Sequence, residues 1–472
     1  MINKHLPQGF PLIAPSDWED EDFEKDVLIS HRFIVMTRGL IRYNREWEWM
    51  TWTGLRWEQD RGKVAIEACL QQVMQFSYDE AFALRQGDKR LQAALARVSQ
   101  EAGAEGVFKR VARSGEVYTP ATDFDTKPEL LNTTTGVYNL DIGQLTEPNP
   151  DLLLTKITGA GYVTNSYEGS VFQKTLRECL PDKETRDYFQ RVMGSTLNGR
   201  IRDHKLFILV GRGRNGKSLL IDAITGALGS YAGNIENSLL LQSSRPNEIK
   251  AQDYSNLADL KGLRLAVAHE LPHGVQLDQA FVKRLTGGDR LKAKLMGKDF
   301  FEFAPSHTLT LLTNHLPLID VNDPAIWSRL SIIEFKESFK GRENLDLPRQ
   351  LKTASERQAV LEWLIQGWHA YQQRGLDEPE SVEKARTEYE LDSDQLQRFI
   401  VEMTEVGPEY TVQRSVFNKA VNKSLQPGDR YLSDKEIMNQ MIQKEFKPAR
   451  KAGFRIWVGL RLKGRIADQG AA

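Results

Sequence analysis

The first part of the chain changes from a strand-like to a helix-like spacing of its apolar positions. From residue 32 to 60 the pattern alternates around a turn at Gly54, which predicts short strands. From Val64 to about Gly103 apolar residues recur every three or four positions, with an interruption at Gly87, which predicts two amphipathic helices. Tryptophans are dense in the strand-like segment and indicate either the core of a small sheet or a surface that stacks on single-stranded bases. We favour the core. The residues concerned are Trp47, Trp49, Trp52 and Trp57.

A connector rich in turn residues leads to a helical stretch and then to short apolar runs. The connector lies between Asn132 and Tyr167, and the helical pattern runs from Phe172 to Leu197. Strands buried on both faces are indicated by short apolar runs at 206–210, 263–268 and 308–312.

The last quarter of the chain begins after a break at 375–382, which follows a predicted helix over 358–373. A new unit starts near Asp394, and its pattern predicts three helices followed by two strands. That order is typical of a winged helix. The predicted elements are Gln395–Glu405, Val412–Leu425, Ser433–Lys444, Phe446–Gly453 and Phe454–Leu462.

Composition is that of a soluble globular chain of roughly three domains, with 472 residues, 40% hydrophobic and 27% charged. Since 63 basic residues balance 64 acidic ones, any affinity for nucleic acid has to come from local patches. Such a patch lies at 441–465, where eight basic residues accompany the single acid Glu445.

Cys69 and Cys179 are far apart and lack the spacing of a zinc or redox site, so we expect both to be buried, reduced core residues. The start of the chain has no apolar signal-peptide core, and no run approaches the ~20 apolar residues of a membrane span. We therefore expect a cytoplasmic protein without a membrane partner.

The most specific motif is Gly211-Arg-Gly-Arg-Asn-Gly-Lys217-Ser218, which matches GxxxxGK[ST] between an apolar run and the helical pattern of 219–228. Glycines let the backbone wrap phosphates at a helix N-terminus. Lys217 is then expected to reach the β and γ phosphates, and Ser218 to supply a hydroxyl ligand for Mg²⁺. The predicted nucleotide-binding residues are Gly211, Gly213, Asn215, Gly216, Lys217, Ser218 and Leu219.

Two polar residues follow the other apolar runs. Glu270 ends the second run, as expected of a Walker B segment, and is the candidate general base and a second metal ligand. A surface acid that merely ends a strand is the alternative. Asn314 follows the third run, where a neutral amide can sense the γ phosphate and hold the attacking water. A lone Asn in that place is otherwise typical of a turn.

The motif at 211–218, Glu270, the segment Lys283-Arg-Leu-Thr-Gly-Gly-Asp289 and the segment 311–317 occur in the order seen in one family. Together they resemble the core of the superfamily-three helicases, the primase-helicases of phages and plasmids that are related to the poxvirus primase-helicase. The resemblance is strongest from about residue 132 to 394.

The resemblance implies an α/β fold of the AAA+ type, in which a parallel sheet carries helices on both faces, and assembly into hexameric rings. In the family, the residue at the position of Asn314 is the sensor, and the segment 283–289 joins the ATP site to a hairpin that contacts DNA. Arg329 lies where the family has an arginine finger, which acts on the nucleotide of the neighbouring subunit. Pairing of Arg329 with Asp323 or Glu334 is the alternative.

Two departures from the family pattern matter. His269 stands where many related motors have Asp, so the expected metal shell depends on Ser218, Glu270 and water. Residues 1–130 contain neither zinc ligands nor paired catalytic acids, so we predict a helicase without a primase module.

DNA contacts are predicted in two places. After Asp289, basic and apolar residues alternate in Arg290-Leu-Lys292-Ala-Lys294-Leu, a turn follows, and an apolar strand returns at 300–303, which predicts a hairpin. By the resemblance its tip contacts backbone phosphate, although a charged, solvated turn is the alternative. The same alternative applies to the basic end of the last unit. The candidate DNA-binding residues are Lys292, Lys294, Lys298, Lys447, Arg450, Lys451 and Arg455.

The sequence thus predicts five regions. They are a tryptophan-rich and helical N-terminal domain at 1–130, a helical leader or collar at 131–200, the ATPase core at 201–345, a helical lid or linker at 346–393 and a winged-helix domain at 394–472.

The expected function is that of an ATP-dependent DNA helicase that uses ATP and Mg²⁺ in the replication of a phage, plasmid or other mobile element. The expected partners are single-stranded and forked DNA, further copies of the chain in a hexamer, and a separate primase or polymerase. Two alternatives stay open: an ATPase that remodels or packages DNA without unwinding it, and a winged-helix regulator switched by nucleotide.

Overall fold

The computed structural model describes residues 22–84, 88–242, 251–272, 274–294, 299–319, 323–425 and 431–463. The first described part combines a helical bundle with a small antiparallel sheet of order β1-β2-β3. Its elements are α1 (Lys25–Met36), β1 (Ile41–Asn44), β2 (Glu48–Trp52), β3 (Trp57–Gln59), α2 (Val64–Asp79), α3 (Lys89–Val98) and α4 (Glu101–Val111).

Tryptophans of this sheet are core residues. Trp49, Trp52 and Trp57 are only 1–4% exposed, and the Trp57 indole donates a hydrogen bond to the Pro150 carbonyl at 2.8 Å. A buried ring cannot stack on a base, so the core interpretation is confirmed for these three side chains. Trp47 is partly buried and contacts Phe124 edge to face.

The connector forms a second antiparallel sheet before the leader helices begin. The helical pattern predicted from Phe172 to Leu197 is interrupted at Pro181, because proline cannot donate the backbone hydrogen bond that a continuous helix needs. The next helix starts at the N-cap Asp182, whose carboxylate accepts from the Thr185 amide at 2.8 Å. The elements are β4 (Leu130–Thr133), β5 (Gly136–Asn139), β6 (Gln144–Thr146), α5 (Val171–Cys179) and α6 (Lys183–Ser195).

The centre of the molecule is a parallel sheet. Among the described residues its strand order is β13-β7-β12-β9-β8, and each neighbouring pair is parallel. The elements in chain order are β7 (Leu206–Val210), α7 (Lys217–Leu228), β8 (Ala232–Asn234), α8 (Ala251–Ala258), β9 (Leu265–His269), α9 (Gln279–Leu285), β10 (Leu291–Lys294), β11 (Phe300–Phe303), β12 (Thr308–Thr313), α10 (Pro324–Trp327) and β13 (Leu330–Glu334).

Both faces of this sheet are covered, which explains why its strands are rich in apolar residues. Along β7, Phe207 and Leu209 join a core built with α5, α6 and α7, whereas Leu206 and Ile208 join the core of the opposite face with α9 and α10. The three apolar runs of the sequence are thus buried strands, as predicted.

Three further helices complete this part: α11 (Leu347–Gln350), α12 (Ala354–Arg374) and α13 (Glu380–Ser393). Helices α12 and α13 pack into the two cores of the sheet, and Leu347 of α11 packs against one of them. Trp363 and Trp368 of α12 are buried in the same core as α6 and α7, and Tyr389 of α13 packs against Trp327 on the other face.

Residues 394–463 form a unit with a hydrophobic core of its own. The sequence pattern does not indicate its first strand, β14, because only two of the ten residues of that strand are buried and a register shift between Val406 and Thr411 disturbs the alternation. The observed order is helix, strand, helix, helix, strand, strand, with sheet order β14-β16-β15. The elements are α14 (Gln395–Met403), β14 (Thr404–Gln413), α15 (Arg414–Lys423), α16 (Asp434–Gln443), β15 (Lys447–Lys451) and β16 (Phe454–Leu462).

Within the described ranges, no helix is long and apolar enough to cross a bilayer. Both cysteines are free and buried, as expected, and burial raises the pKa of each thiol to about 12.

Candidate functional site

The loop between β7 and α7 packs closely against its neighbours because it has glycines at the positions where a side chain would not fit. A Cβ atom on Gly216, whose φ is 82°, would lie 2.1 Å from the sulfur of Cys179. A Cβ on Gly211 would lie 2.0 Å from the Asn215 amide nitrogen and 2.5 Å from the Phe335 carbonyl oxygen. Side chains at these two positions would therefore push the loop away from α5 and β13.

Lys217 is buried at the first turn of α7, with 5% of its surface exposed. Its ammonium group donates to three neutral oxygens: the Gly211 carbonyl at 2.7 Å, Asn215 Oδ1 at 3.2 Å and Asn314 Oδ1 at 3.2 Å. Burial lowers the pKa of Lys217, and the nearby Glu270 carboxylate opposes that shift. A buried cation held by neutral oxygens at a helix N-terminus favours an anionic ligand.

Asn314 and Glu270 meet because β12 lies between β7 and β9. Asn314 follows the central strand of the three and donates from its amide nitrogen to Glu270 Oε1 at 3.4 Å. The same side chain accepts from Lys217, so cation, amide and carboxylate form one row across the carboxyl ends of three parallel strands. The edge where strand carboxyl ends meet is the usual ligand site of such sheets.

The backbone of Glu270 is unusual, with a φ of 38° in the left-handed region that non-glycine residues rarely adopt. Its amide donates to the Leu312 carbonyl at 2.7 Å, and its own carbonyl accepts from the Asn237 side chain at 3.1 Å. His269, the departure from the family pattern, has its imidazole Nε2 3.1 Å from Asn234 Oδ1 at the end of β8.

These residues line a cleft of about 520 Å³ whose other walls the sequence did not indicate. One wall is α5, and the other follows β13, where Arg214 of the loop forms a 2.6 Å ion pair with Glu343. No local motif marks either wall, since only the tertiary packing brings them to the loop. The additional lining residues include Thr175, Glu178, Cys179, Phe339, Arg342, Asn344 and Leu347.

Arg329 lies at the opposite end of the sheet from this cleft. It directly precedes β13, whose first residue Leu330 pairs with Leu206 at the start of β7. Its guanidinium NH1 donates to Thr286 Oγ1 at 3.0 Å and to the Lys283 carbonyl at 3.3 Å. The alternative pairings do not occur, because Asp323 pairs with Lys283 at 2.5 Å and Glu334 with Lys336 at 3.1 Å.

The predicted hairpin is present as β10 and β11. Leu291 and Ala293 are buried while Lys292 and Lys294 are exposed, as the alternation predicts. Phe300 lies on the same exposed face, 48% exposed, with the two ammonium groups 4.7 and 4.9 Å from its ring centre. Tyr254 contacts the same ring at 5.2 Å. Sequence reasoning did not single out these aromatic residues, and the predicted tip residue Lys298 lies outside the described residues.

The four predicted basic residues of the last unit are exposed on the β15–β16 hairpin. Arg450 faces Arg455 directly across the hairpin, and cross-strand like charges are destabilising on their own. In the described part of the chain neither arginine has a carboxylate within ion-pair distance, and Phe454 beside them is 57% exposed. The two remaining residues are Lys447 and Lys451.

Comparison with known families and proteins gives two family matches. A family described as D5 N terminal like matches residues 29–181, and a family of unknown function, DUF5906, matches residues 209–329.

Similar viral proteins are named "Putative helicase" or "Putative primase". A protein of Acanthamoeba polyphaga mimivirus that is named a putative helicase is 26% identical over 314 residues, which cover 62% of this chain and 32% of that protein. One of Invertebrate iridescent virus 6 is 28% identical over 46% of this chain and 23% of its own length. A protein of African swine fever virus that is named a putative primase is 22% identical over 53% of this chain and 27% of its own length. The chain thus spans about a quarter to a third of the curated relatives it matches.

Among solved structures, the apo NrS-1 C-terminal region aligns with a TM-score of 0.46 at 13% identity, covering 94% of this chain and 100% of that one.

Proposed function

We propose that this chain, a relative of the viral and phage primase-helicases of superfamily three, is an ATP-dependent DNA helicase. The observation that carries the proposal is the row formed by Lys217, Asn314 and Glu270. In this row a neutral amide bridges a buried cation, suited to phosphates, and a carboxylate, suited to polarising water. Loss of the γ phosphate would therefore change the contacts of Asn314 at once.

ATP fits the cleft from the loop outward. The α7 N-terminus and Lys217 would hold the phosphates, and the apolar side chains of Phe339 and Leu347 would contact the base. Glu270 would orient the attacking water and accept its proton.

The residues also fit Mg²⁺. In the described part of the chain no three His, Cys, Asp or Glu side chains converge as a metal cage. A cage is not needed, since Mg²⁺ in nucleotide sites is usually held by one or two protein oxygens together with phosphates and water. The exposed hydroxyl of Ser218 and the carboxylate of Glu270 would hold it. When bound, the ion would neutralise charge on the transferred phosphoryl group.

The location of Arg329 supports an oligomer. The five residues of β7 separate its end of the sheet from the phosphate loop, a distance of roughly 16 Å at about 3.3 Å per strand residue. An arginine side chain cannot span that distance within one subunit. We propose that Arg329 completes the site of a neighbouring copy in a homo-oligomer, with six subunits as the family resemblance implies.

A mixing experiment tests this assignment. Arg329→Ala subunits and Lys217→Ala subunits should each be nearly inactive, because loss of an arginine finger costs roughly 10³ to 10⁵ in rate. Co-assembled mixtures should recover part of the ATPase activity, since some interfaces then join an intact Lys217 to an intact Arg329. If co-assembled mixtures stay as inactive as either parent, Arg329 is not a finger that acts between subunits.

Two surfaces support DNA as the substrate. Lys292, Lys294 and Phe300 combine cations for phosphates with an exposed ring for bases, a combination suited to single strands. The three helices and the terminal hairpin of the last unit support a winged helix, which we propose as its fold. Its facing Arg450 and Arg455 would be relieved of mutual repulsion by backbone phosphates. We propose single-stranded and forked DNA as ligands, and a primase or polymerase as the partner in replicating a phage, plasmid or other mobile element.

ATP hydrolysis with and without single-stranded DNA tests the proposal. A helicase should hydrolyse ATP, and single-stranded DNA should accelerate turnover. Nucleotide binding without turnover would instead support the nucleotide-switched regulator. DNA-stimulated turnover without strand separation would support an ATPase that remodels or packages DNA.

A further inference from the structure

We infer that Thr286 is a positioning residue that aims Arg329 at the nucleotide of the neighbouring subunit. The inference rests on the proposed function, because it assigns a partner to the proposed arginine finger. Thr286 is 2% exposed, lies directly after α9 and accepts a hydrogen bond from Arg329 NH1 at 3.0 Å. It lies outside the nucleotide cleft of its own subunit.

The hydroxyl of Thr286 has its proton committed elsewhere. Thr286 Oγ1 donates to the Val282 carbonyl at 2.8 Å. A hydroxyl has one proton and two lone pairs, so once the proton points to Val282 the lone pairs are left to accept. The guanidinium of Arg329 therefore meets an acceptor whose direction is fixed by α9.

Lys283, one helical turn before Thr286, contacts both Arg329 and the start of α10. Its carbonyl accepts from Arg329 NH1 at 3.3 Å, and its ammonium group pairs with Asp323 Oδ2 at 2.5 Å. Asp323 is the N-cap of α10, the short helix that leads to Arg329. The end of α9 thus fixes both the start of α10 and the guanidinium that follows it.

The glycine after Thr286 leaves room around the carbonyl acceptor of Arg329. A Cβ on Gly287 would lie 3.0 Å from the Lys283 carbonyl oxygen and 3.4 Å from that of Arg284. The Lys283 carbonyl is the second acceptor of Arg329, so a side chain at 287 would crowd that acceptor.

The contacts of Arg329 leave its charge available. Both acceptors are neutral, and both accept from NH1. A guanidinium has five N–H donors, so the other donors remain available for a ligand. Within the described ranges no carboxylate lies within ion-pair distance of it. An oriented but unneutralised guanidinium is what an anionic ligand from another subunit requires.

The experiment compares Thr286→Val, which is nearly isosteric but cannot accept, with Thr286→Ser, which keeps the hydroxyl. For Thr286→Val, kcat for ATP should fall at least about 10-fold, because a hydrogen bond to a charged group is lost. The KM for ATP should stay unchanged, and Thr286→Ser should restore kcat. Gly287→Ala, which leaves the hydroxyl in place, should lower kcat in the same way.

Subunit mixing then separates positioning from general damage. Thr286→Val subunits contain an intact Lys217, so they should recover activity with Lys217→Ala subunits, which contribute an intact Arg329. They should not recover with Arg329→Ala subunits, because every finger in that mixture is defective.

The outcomes are distinguishable. If Arg329→Ala alone keeps wild-type activity, the proposed finger fails, and this inference fails with it. If Arg329→Ala is inactive while Thr286→Val and Gly287→Ala both keep wild-type kcat, only the positioning role of Thr286 is overturned. Recovery with Arg329→Ala, or failure with both partners, would also overturn it, because the defect would then not be confined to the finger.

Discussion

At the scale of single residues, the cleft assigns different roles to a buried cation and a carboxylate. Lys217 could be predicted from the sequence because its motif is contiguous and the loop geometry is local. The bridge through Asn314 could not, because a lone Asn after a strand carries no signal until the sheet order is known. The partners of Arg329 were likewise missed, since neither predicted acid contacts it.

Lys217→Ala and Glu270→Gln should differ in the step that they block. The alanine variant should lose ATP hydrolysis because the phosphates lose their buried cation. The glutamine variant should still bind ATP but release phosphate roughly 10² to 10⁴ times more slowly, since only the general base is removed. Equilibrium binding of a fluorescent ATP analogue, measured beside phosphate release, separates the two defects.

Glu334→Gln is the matched control, because Glu334 ends the parallel strand β13 but pairs with Lys336 outside the cleft. It should hydrolyse ATP like the wild type. Wild-type turnover by Glu270→Gln would remove Glu270 from its role.

At the scale of elements, the sequence predicts a strand best when the same kind of surroundings recurs along its whole length. The strands of the central sheet are mostly apolar because helices cover both faces, and β10 alternates because one of its faces is exposed. Strand order is different. It depends on pairing between segments far apart in the chain, and β12 enters between β7 and β9 without any local sign. For the same reason the walls of the cleft were not predicted.

The β10–β11 hairpin should bind single strands partly through its exposed ring. Phe300→Leu should weaken the affinity for a single-stranded oligonucleotide by about 5-fold or more, because stacking on an aromatic ring contributes about 1–3 kcal/mol per base. Phe300→Tyr should retain the affinity, and basal ATPase should be unchanged in both. Fluorescence anisotropy with a labelled oligonucleotide measures the difference.

Phe82→Leu serves as the control, since Phe82 is equally exposed at 49% but lies in the first described part of the chain. Should Phe300→Leu and Phe82→Leu bind DNA equally well, the stacking role of the hairpin is wrong.

At the scale of the whole molecule, the unit at 394–463 has a hydrophobic core of its own, so we expect that it can be removed without unfolding the central sheet. The sequence predicted this unit from its break in pattern and its basic end. It could not show how α12 and α13 pack, and these helices complete the cores of the central sheet.

Deleting residues 394–472 should leave basal ATPase largely intact but weaken duplex binding, and the loss should be greatest at low salt, where phosphate contacts contribute most. Replacing Arg450 and Arg455 with Gln in the full chain should reproduce part of that loss and flatten the salt dependence. Undiminished duplex affinity after the deletion would mean that the basic end is only a solvated surface.

In the proposed function, ATP hydrolysis at the Lys217–Asn314–Glu270 row drives the separation of DNA strands. Strand displacement from a forked duplex, followed with wild-type protein and with Glu270→Gln in the presence of ATP, tests it most directly. We expect steady strand displacement by the wild type, and by Glu270→Gln we expect DNA binding without displacement. Displacement at equal rates by both proteins, or DNA-stimulated hydrolysis by the wild type without any displacement, would contradict it.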